Sequence, residues 1–129
     1  MKLELIPIPV TDVDRALAYY ANGLGFTVDV DVRPAEGVRV VQVTPPGSAC
    51  SIGFGNGLPA YDDMVPGSIK AIHLVVGDIE AARAELLERG VEVGEVHDVG
   101  GGVKYAPLSD PDGNGLALQE MAWRTGAAF

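Results

Sequence analysis

The chain has 129 residues, 47% of them hydrophobic, and sets 9 Lys and Arg against 18 Asp and Glu, a net charge of -9. This length suits a single folded domain that buries about two thirds of its unfolded surface, and the acidity excludes nucleic acid, whose phosphates need Lys and Arg. No apolar run of roughly 18 residues occurs, and no basic start precedes an apolar core. Neither a membrane span nor a signal peptide is therefore expected, and the chain is read as cytoplasmic; Cys50 is the single cysteine and has no internal disulfide partner.

The first strand is expected over Leu3 to Val10. Pro7 and Pro9 lack the amide that a central ladder needs, so it belongs at an edge or with those positions turned away from its partner. Asp12 then stands as an N-cap before a helix from Val13 to Asn22, and Leu24-Gly25-Phe26 forms its exit. Three strands follow at Thr27 to Arg33, Val38 to Pro45 and Ala49 to Phe54, with turns at Pro34 to Gly37 and Pro45-Pro46-Gly47. Gly55 to Gly67 has no period and several breakers, and reads as a linker. This divides the chain into module one at about 1-56, a linker at about 57-67 and module two at about 68-122.

The second half repeats the order. Ala71 to Val76 alternates as a strand, Asp78 caps a helix over Ile79 to Arg89, Gly90 stops it, and Val91 to Val96 is a strand. Gly100-Gly101-Gly102 is a flexible loop, and Val103 to Ser109 and Gly115 to Met121 flank the hairpin turn Asp110-Pro111-Asp112-Gly113-Asn114. The tail is expected to fray beyond Trp123. Subtracting 66 carries Asp78 to Asp12, Ala82 to Ala16 and Val76 to Val10, so the chain is an internal duplication of one strand-helix-strand plan.

Two strand-helix-strand-strand-strand modules, a Val-x-Asp helix entry in each, Leu24-Gly25-Phe26, and Asp110-Pro111-Asp112-Gly113-Asn114 before the last strand together resemble the vicinal oxygen chelate superfamily. That group contains glyoxalase I, extradiol dioxygenases, fosfomycin resistance enzymes and bleomycin resistance proteins. The resemblance implies an α+β fold of two βαβββ modules, forming curled mixed sheets around a shared cleft for a small molecule. It also implies a homodimer, and in many members a divalent metal.

The resemblance places the metal ligands on each module's first strand, seven residues before the helix-cap Asp, and on its last strand, three after the Asn of the turn. Here those positions are Leu5, Ala71 and Ala117, with Ser51 or Gly53 as the less certain fourth. None offers the imidazole, carboxylate or thiolate a divalent cation needs. No metal and no other cofactor is expected, and metal-dependent glyoxalase or dioxygenase chemistry is doubted on the same ground.

Strand parity then selects candidate cleft residues. If Ile72, Leu74 and Val76 face the helix, Ala71, His73 and Val75 face the cleft, and His73 brings an imidazole suited to proton transfer or ligand bonding. A histidine bonded to a neighbouring strand or tyrosine is the structural alternative. Gln119 shares a face with Ala117 and offers an amide, while Leu116, Leu118 and Glu120 lie opposite; Glu120 reads as a surface or strand-end carboxylate. Candidate ligand contacts are thus Leu5, Pro7, Ser51, Ala71, His73, Tyr105, Ala117 and Gln119, with His73 the candidate catalytic base. His97, Asp98, Lys104 and Tyr105 flank the triple-glycine segment, which is either a lid or a hairpin opening; His97 and Asp98 are adjacent and should point to opposite faces. Tyr61, Asp62 and Asp63 read as solvated loop residues, and Cys50 as a buried structural thiol. No Gly-x-Gly-x-x-Gly enters a helix and no Gly-Lys-Ser or Gly-Lys-Thr occurs, which argues against nucleotide.

Three functions remain open. One is a metal-independent binding protein of the bleomycin resistance kind, sequestering an apolar or aromatic compound. Another is a lyase or isomerase with His73 as general base. The third is a partner-binding dimer without a small-molecule role.

Overall fold

A computed structural model describes residues 1–129. The chain forms two compact units, Met1–Ile69 with Pro111–Asn114, and Lys70–Asp110 with Gly115–Phe129. Each holds one open, mixed, four-stranded sheet.

In the first unit β1 (Leu5–Pro7), α1 (Val13–Leu17), β2 (Thr27–Ala35), β3 (Val38–Thr44), β4 (Ser51–Asn56) and α2 (Pro59–Asp62) follow in order, and the sheet runs β1-β4-β3-β2. β1 is shorter than the expected Leu3 to Val10 but occupies the edge its prolines demand. The Ser51 amide donates to the Glu4 carbonyl and the Ile8 amide to Gly53, both toward β4, so positions 7 and 9, between and beyond them, have no amide to donate there. Asp12 caps α1 by accepting from the Arg15 amide at 3.1 Å. The regular helix ends at Leu17, five residues before the expected Asn22. Ala18–Gly23 instead forms a π-turn, in which the Leu24 amide reaches back to the Tyr19 carbonyl. The wider turn accompanies packing of two successive tyrosines: Tyr20 is fully buried, its ring 5.9 Å from Phe26 and 5.7 Å from Phe54, with Tyr19 edge-on at 5.1 Å. With Ile8, Ala16, Val41, Val43 and Ile52 these rings make the first core.

β4 starts two residues later than expected, at Ser51. The stretch read as a structureless linker contains α2, whose Pro59 supplies a preset first turn. Tyr61 on α2 is buried rather than solvated, and burial pushes its phenol pKa up. The glycine at 55 makes room for it: a Cβ there would lie 3.3 Å from the Tyr61 ring and 2.0 Å from the Arg39 carbonyl.

In the second unit β5 (Ile72–Val75), α3 (Ile79–Glu88), β6 (His97–Gly100), β7 (Val103–Ser109) and β8 (Gly115–Met121) give a sheet of order β5-β8-β7-β6. The duplication is visible atom by atom: Asp78 accepts from the Ala81 amide at 3.1 Å, as Asp12 does from Arg15. α3 packs on β7 and β8, and Ile79, Leu86, Ala106, Leu108, Leu116 and Leu118 form the second core.

Val91 to Val96 is not a strand. Its one rung to β7 is Gly94 N–H to the Pro107 carbonyl at 2.8 Å, the Arg83 side chain takes the Gly94 carbonyl at 2.7 Å, and Pro107 has no amide to return. The ladder therefore resumes only at His97↔Tyr105, while Val91 and Val93 stay buried as extended chain. Gly100, Gly101 and Gly102 all take positive φ and close the β6–β7 hairpin; a Cβ on Gly102 would lie 2.9 Å from that of Ala122. Beyond Trp123 the tail takes a short 3-10 turn, Gly126–Ala128.

Candidate functional site

Each sheet covers one face with its helix and leaves the other open, and strand register decides which residues share the open face. In the first sheet Leu5↔Ser51, Pro7↔Gly53 and Gln42↔Gly53 put Leu5, Pro7, Ser51 and Gln42 together. Ser51 is buried and fully engaged. Gln42 Nε2 donates to its Oγ at 3.0 Å, and its Oγ lies 2.6 Å from Thr44 Oγ1, which in turn bonds Asp29. Leu5 covers Gly53 so closely that a Cβ at 53 would meet Leu5 Cδ1 at 2.7 Å. Leu5 and Gly53 are the residues at which the resemblance would look for metal donors.

In the second sheet two rows lie on the open face. One is His73–Ala117–Pro107; the next is Val75–Gln119–Tyr105–His97, spanning all four strands. His73, Ala117, Gln119 and Tyr105 thus come together. Ala71 does not belong to the strand alternation. β5 begins at Ile72, and Ala71 has φ 56, a left-handed backbone costing a non-glycine residue roughly 1–2 kcal/mol. Its carbonyl instead meets His73 Nδ1 at 2.6 Å. A carbonyl only accepts, so Nδ1 is the donor in this bond and Nε2 takes no part in it. His73 is exposed and faces outward from the sheet.

His97 was legible as polar but not as part of this face. Its ring stacks on Tyr105 with centroids 5.0 Å apart and planes 27° apart, while Asp98, opposite Lys104 in the ladder, accepts from the Gly100 amide. Glu120 is more than a strand-end carboxylate: Oε1 accepts from the Ile79 amide at 3.0 Å and supplements the Asp78 cap of α3. The turn Asp110 to Asn114 is likewise more than a hairpin. Asp112 accepts from the Thr11 hydroxyl at 2.6 Å and from Arg15 at 3.2 Å, and fully buried Asn114 donates to the Pro9 carbonyl at 2.7 Å and accepts from the Ile69 amide at 3.3 Å. Cys50 is half-buried, its Sγ 3.7 Å from the Ser51 carbonyl.

Two hollows are formed, one apart from these faces and one reaching the open-face row only at Pro107. One of about 430 Å³ is lined by Thr11, Asp14, Arg33, Arg39 and Asn56. Val10, Val13 and Val38 also line it, and its buried guanidinium is already committed: Arg39 bonds both oxygens of Asp31 at 3.0 Å and Asp14 at 2.6 Å. This pairing raises the Arg39 pKa, and the same hydrogen bonds hold the Asp31 carboxyl below its usual range. The other, of about 420 Å³, opens beside Gly94 and Pro107 where the ladder is interrupted. Neither contains the His73, Gln119 or Leu5 positions. Nowhere do three or more His, Cys, Asp or Glu side chains cluster closely enough to hold a metal ion.

Two copies of a βαβββ module, each an open sheet with one bare face and a capped helix on the other, define a duplicated small-ligand fold. The chain belongs to the Glyoxalase/Bleomycin resistance protein/Dioxygenase superfamily, whose family model matches residues 2–118. Among solved structures it is similar to TnmS3, an antibiotic binding protein from Streptomyces sp. CB03234, with 31% identity over 94% of this chain and 96% of that one, and a TM-score of 0.79. It is similar also to a member of the same superfamily from Sphaerobacter thermophilus DSM 20745, with 35% identity over 93% and 97%, and a TM-score of 0.78. A glyoxalase/bleomycin resistance protein from Streptomyces sp. CB03234 shares 32% identity over 91% and 98%, with a TM-score of 0.74. No curated protein matches the chain.

Proposed function

We propose that the protein is a metal-independent binder that sequesters an apolar or aromatic small molecule on the open faces of its sheets. The observation that carries this is the side-chain chemistry at the family's ligand positions. Leu5 sits on Gly53, and Ala117 lies between His73 and Pro107, so the places for metal donors hold hydrocarbon instead. The antibiotic-binding relative at 31% identity supports the same reading. Leu5, Pro7, Ser51, Ala71, His73, Tyr105, Ala117 and Gln119 remain the proposed contact set, with Ala71 acting through its carbonyl and Ser51 through its bond to Gln42. A cytoplasmic homodimer accompanies this proposal by family resemblance, and light scattering of the purified chain checks the dimer.

A thermal-shift screen against aromatic and apolar natural-product antibiotics tests the function. A true ligand at 100 times its Kd adds about 2.7 kcal/mol and raises Tm by several degrees, and is recovered with unchanged mass. A screen in which no compound stabilises the protein contradicts the proposal. A compound returned as a product of altered structure supports the second reading, a lyase or isomerase. That reading is favoured by one contact: the Ala71 carbonyl engages His73 Nδ1 and leaves Nε2 outside that bond.

A further inference from the structure

We infer that the hollow between the start of α1 and the β2–β3 hairpin binds a zwitterion, a free α-amino acid with an aliphatic side chain. This site is separate from the open faces and goes beyond the function proposed above. Arg39 pairs with Asn56 of β4, shares a strand face with buried Val41 and Val43, and bonds Asp14 of α1, so the hollow it lines lies on the helix-covered side of the first sheet. Its volume of about 430 Å³ falls in the range of small-molecule sites.

The ligand class follows from the donors and acceptors left over in the lining. A guanidinium has five N–H donors, and Arg39, only 9% exposed, uses three: Nε and one on Nη2 toward Asp31, and one on Nη1 toward Asp14. One donor on each terminal nitrogen remains at the wall of the hollow. Leaving such donors buried without a partner is costly, and a carboxylate is the acceptor a guanidinium binds most strongly. Arg33, exposed in the same lining, acts on Asp31 only through space and makes no hydrogen bond, so it supplies a second guanidinium to that carboxylate. Acids line the hollow as well. Asp12 spends Oδ1 on the Arg15 amide and Asp14 spends Oδ1 on Arg39, which leaves the Oδ2 of each for an ammonium. A plain anion is repelled by Asp12 and Asp14, and a plain cation by Arg33; a molecule with both charges satisfies both sets. Val10, Val13 and Val38 add the apolar surface that an aliphatic side chain covers.

The test follows the backbone amides of the 15N-labelled full chain by NMR during titration with L-leucine to its solubility limit at fixed ionic strength. The Gly37, Val38 and Arg39 amides should shift together and saturate at one leucine per chain. 4-Methylpentanoate, which lacks the ammonium, and 3-methylbutylamine, which lacks the carboxylate, should each bind roughly tenfold more weakly or worse, the worth of a charged hydrogen bond. Arg33→Gln, at an exposed position where folding is not at stake, should weaken leucine by a similar factor. Asp12→Asn keeps the cap of α1 and should weaken it severalfold. Leucine that leaves these amides unmoved, either analogue binding as well as leucine, or undiminished affinity in Arg33→Gln overturns the site.

Discussion

Replacing Asn114 by Ala tests how the Asp110 to Asn114 turn is held. Asn114 is fully buried, and its amide serves two backbone groups: Nδ2 donates to the Pro9 carbonyl at 2.7 Å, and Oδ1 accepts from the Ile69 amide at 3.3 Å. Alanine leaves the Pro9 carbonyl buried without its donor, at about 1–3 kcal/mol, and the half-buried Ile69 amide adds roughly 1 kcal/mol more, partly recovered by water. The total is about 2–4 kcal/mol. With a urea slope of about 1.5 kcal/mol/M for a domain of this size, the midpoint should fall by roughly 1.3–2.7 M at unchanged slope. Asn114→Asp is the sharper control. It keeps the acceptor for Ile69 but sets a carboxylate oxygen against the Pro9 carbonyl, so it should destabilise at least as much as alanine. An alanine variant within about 0.5 kcal/mol of the parent, or an aspartate variant more stable than the alanine one, refutes the reasoning.

Arg39→Met should cost about 1–3 kcal/mol at neutral pH, moderated because Asp14 and Asp31 are partly exposed and regain water. Because the folded-state pKa of Asp31 is depressed, its contribution is present above the ordinary carboxylate pKa and lost as pH falls through the lower folded value. The stability gap between parent and variant should therefore shrink below about pH 4, read by urea melts across pH. Gly102→Ala should destabilise by about 1–3 kcal/mol, since φ is +80 and the added Cβ meets Ala122 at 2.9 Å. Ala71→Gly should stabilise by about 0.5–1 kcal/mol, the left-handed strain removed less the entropy glycine adds to the unfolded chain. Calorimetric melts decide both.

The duplicated plan was legible because its cues are local. Asp12 and Asp78 cap, Gly25 and Gly90 take positive φ, and the alternation of Ile72 and Leu74 survives in the register. The open-face set was partly legible for the same reason: Tyr105 and Gln119 lie seven residues either side of Asp112, and a hairpin centred there pairs them. What failed depended on distant partners. Val91 to Val96 has strand periodicity, but only the fold shows that Pro107 and Arg83 occupy the positions where rungs would form. The π-turn follows from packing Tyr20 against Phe26 and Phe54, residues that no window around the helix includes together. Asn114 and Glu120 read as turn and surface residues because their bonds reach Pro9, Ile69 and Ile79 across the sequence. His97 was read only as a residue flanking the triple-glycine segment, since its stacking on Tyr105 is a cross-strand ring contact.

The most direct test is metal content set against affinity. Protein purified without chelator is analysed for Zn, Ni, Mn and Fe by plasma mass spectrometry. The affinity for the compound selected by the thermal screen is then measured by calorimetry before and after dialysis against EDTA. With Leu5, Ala71 and Ala117 in the donor positions, the account predicts far less than one metal per chain and an unchanged Kd. A stoichiometric metal whose removal abolishes binding would contradict it.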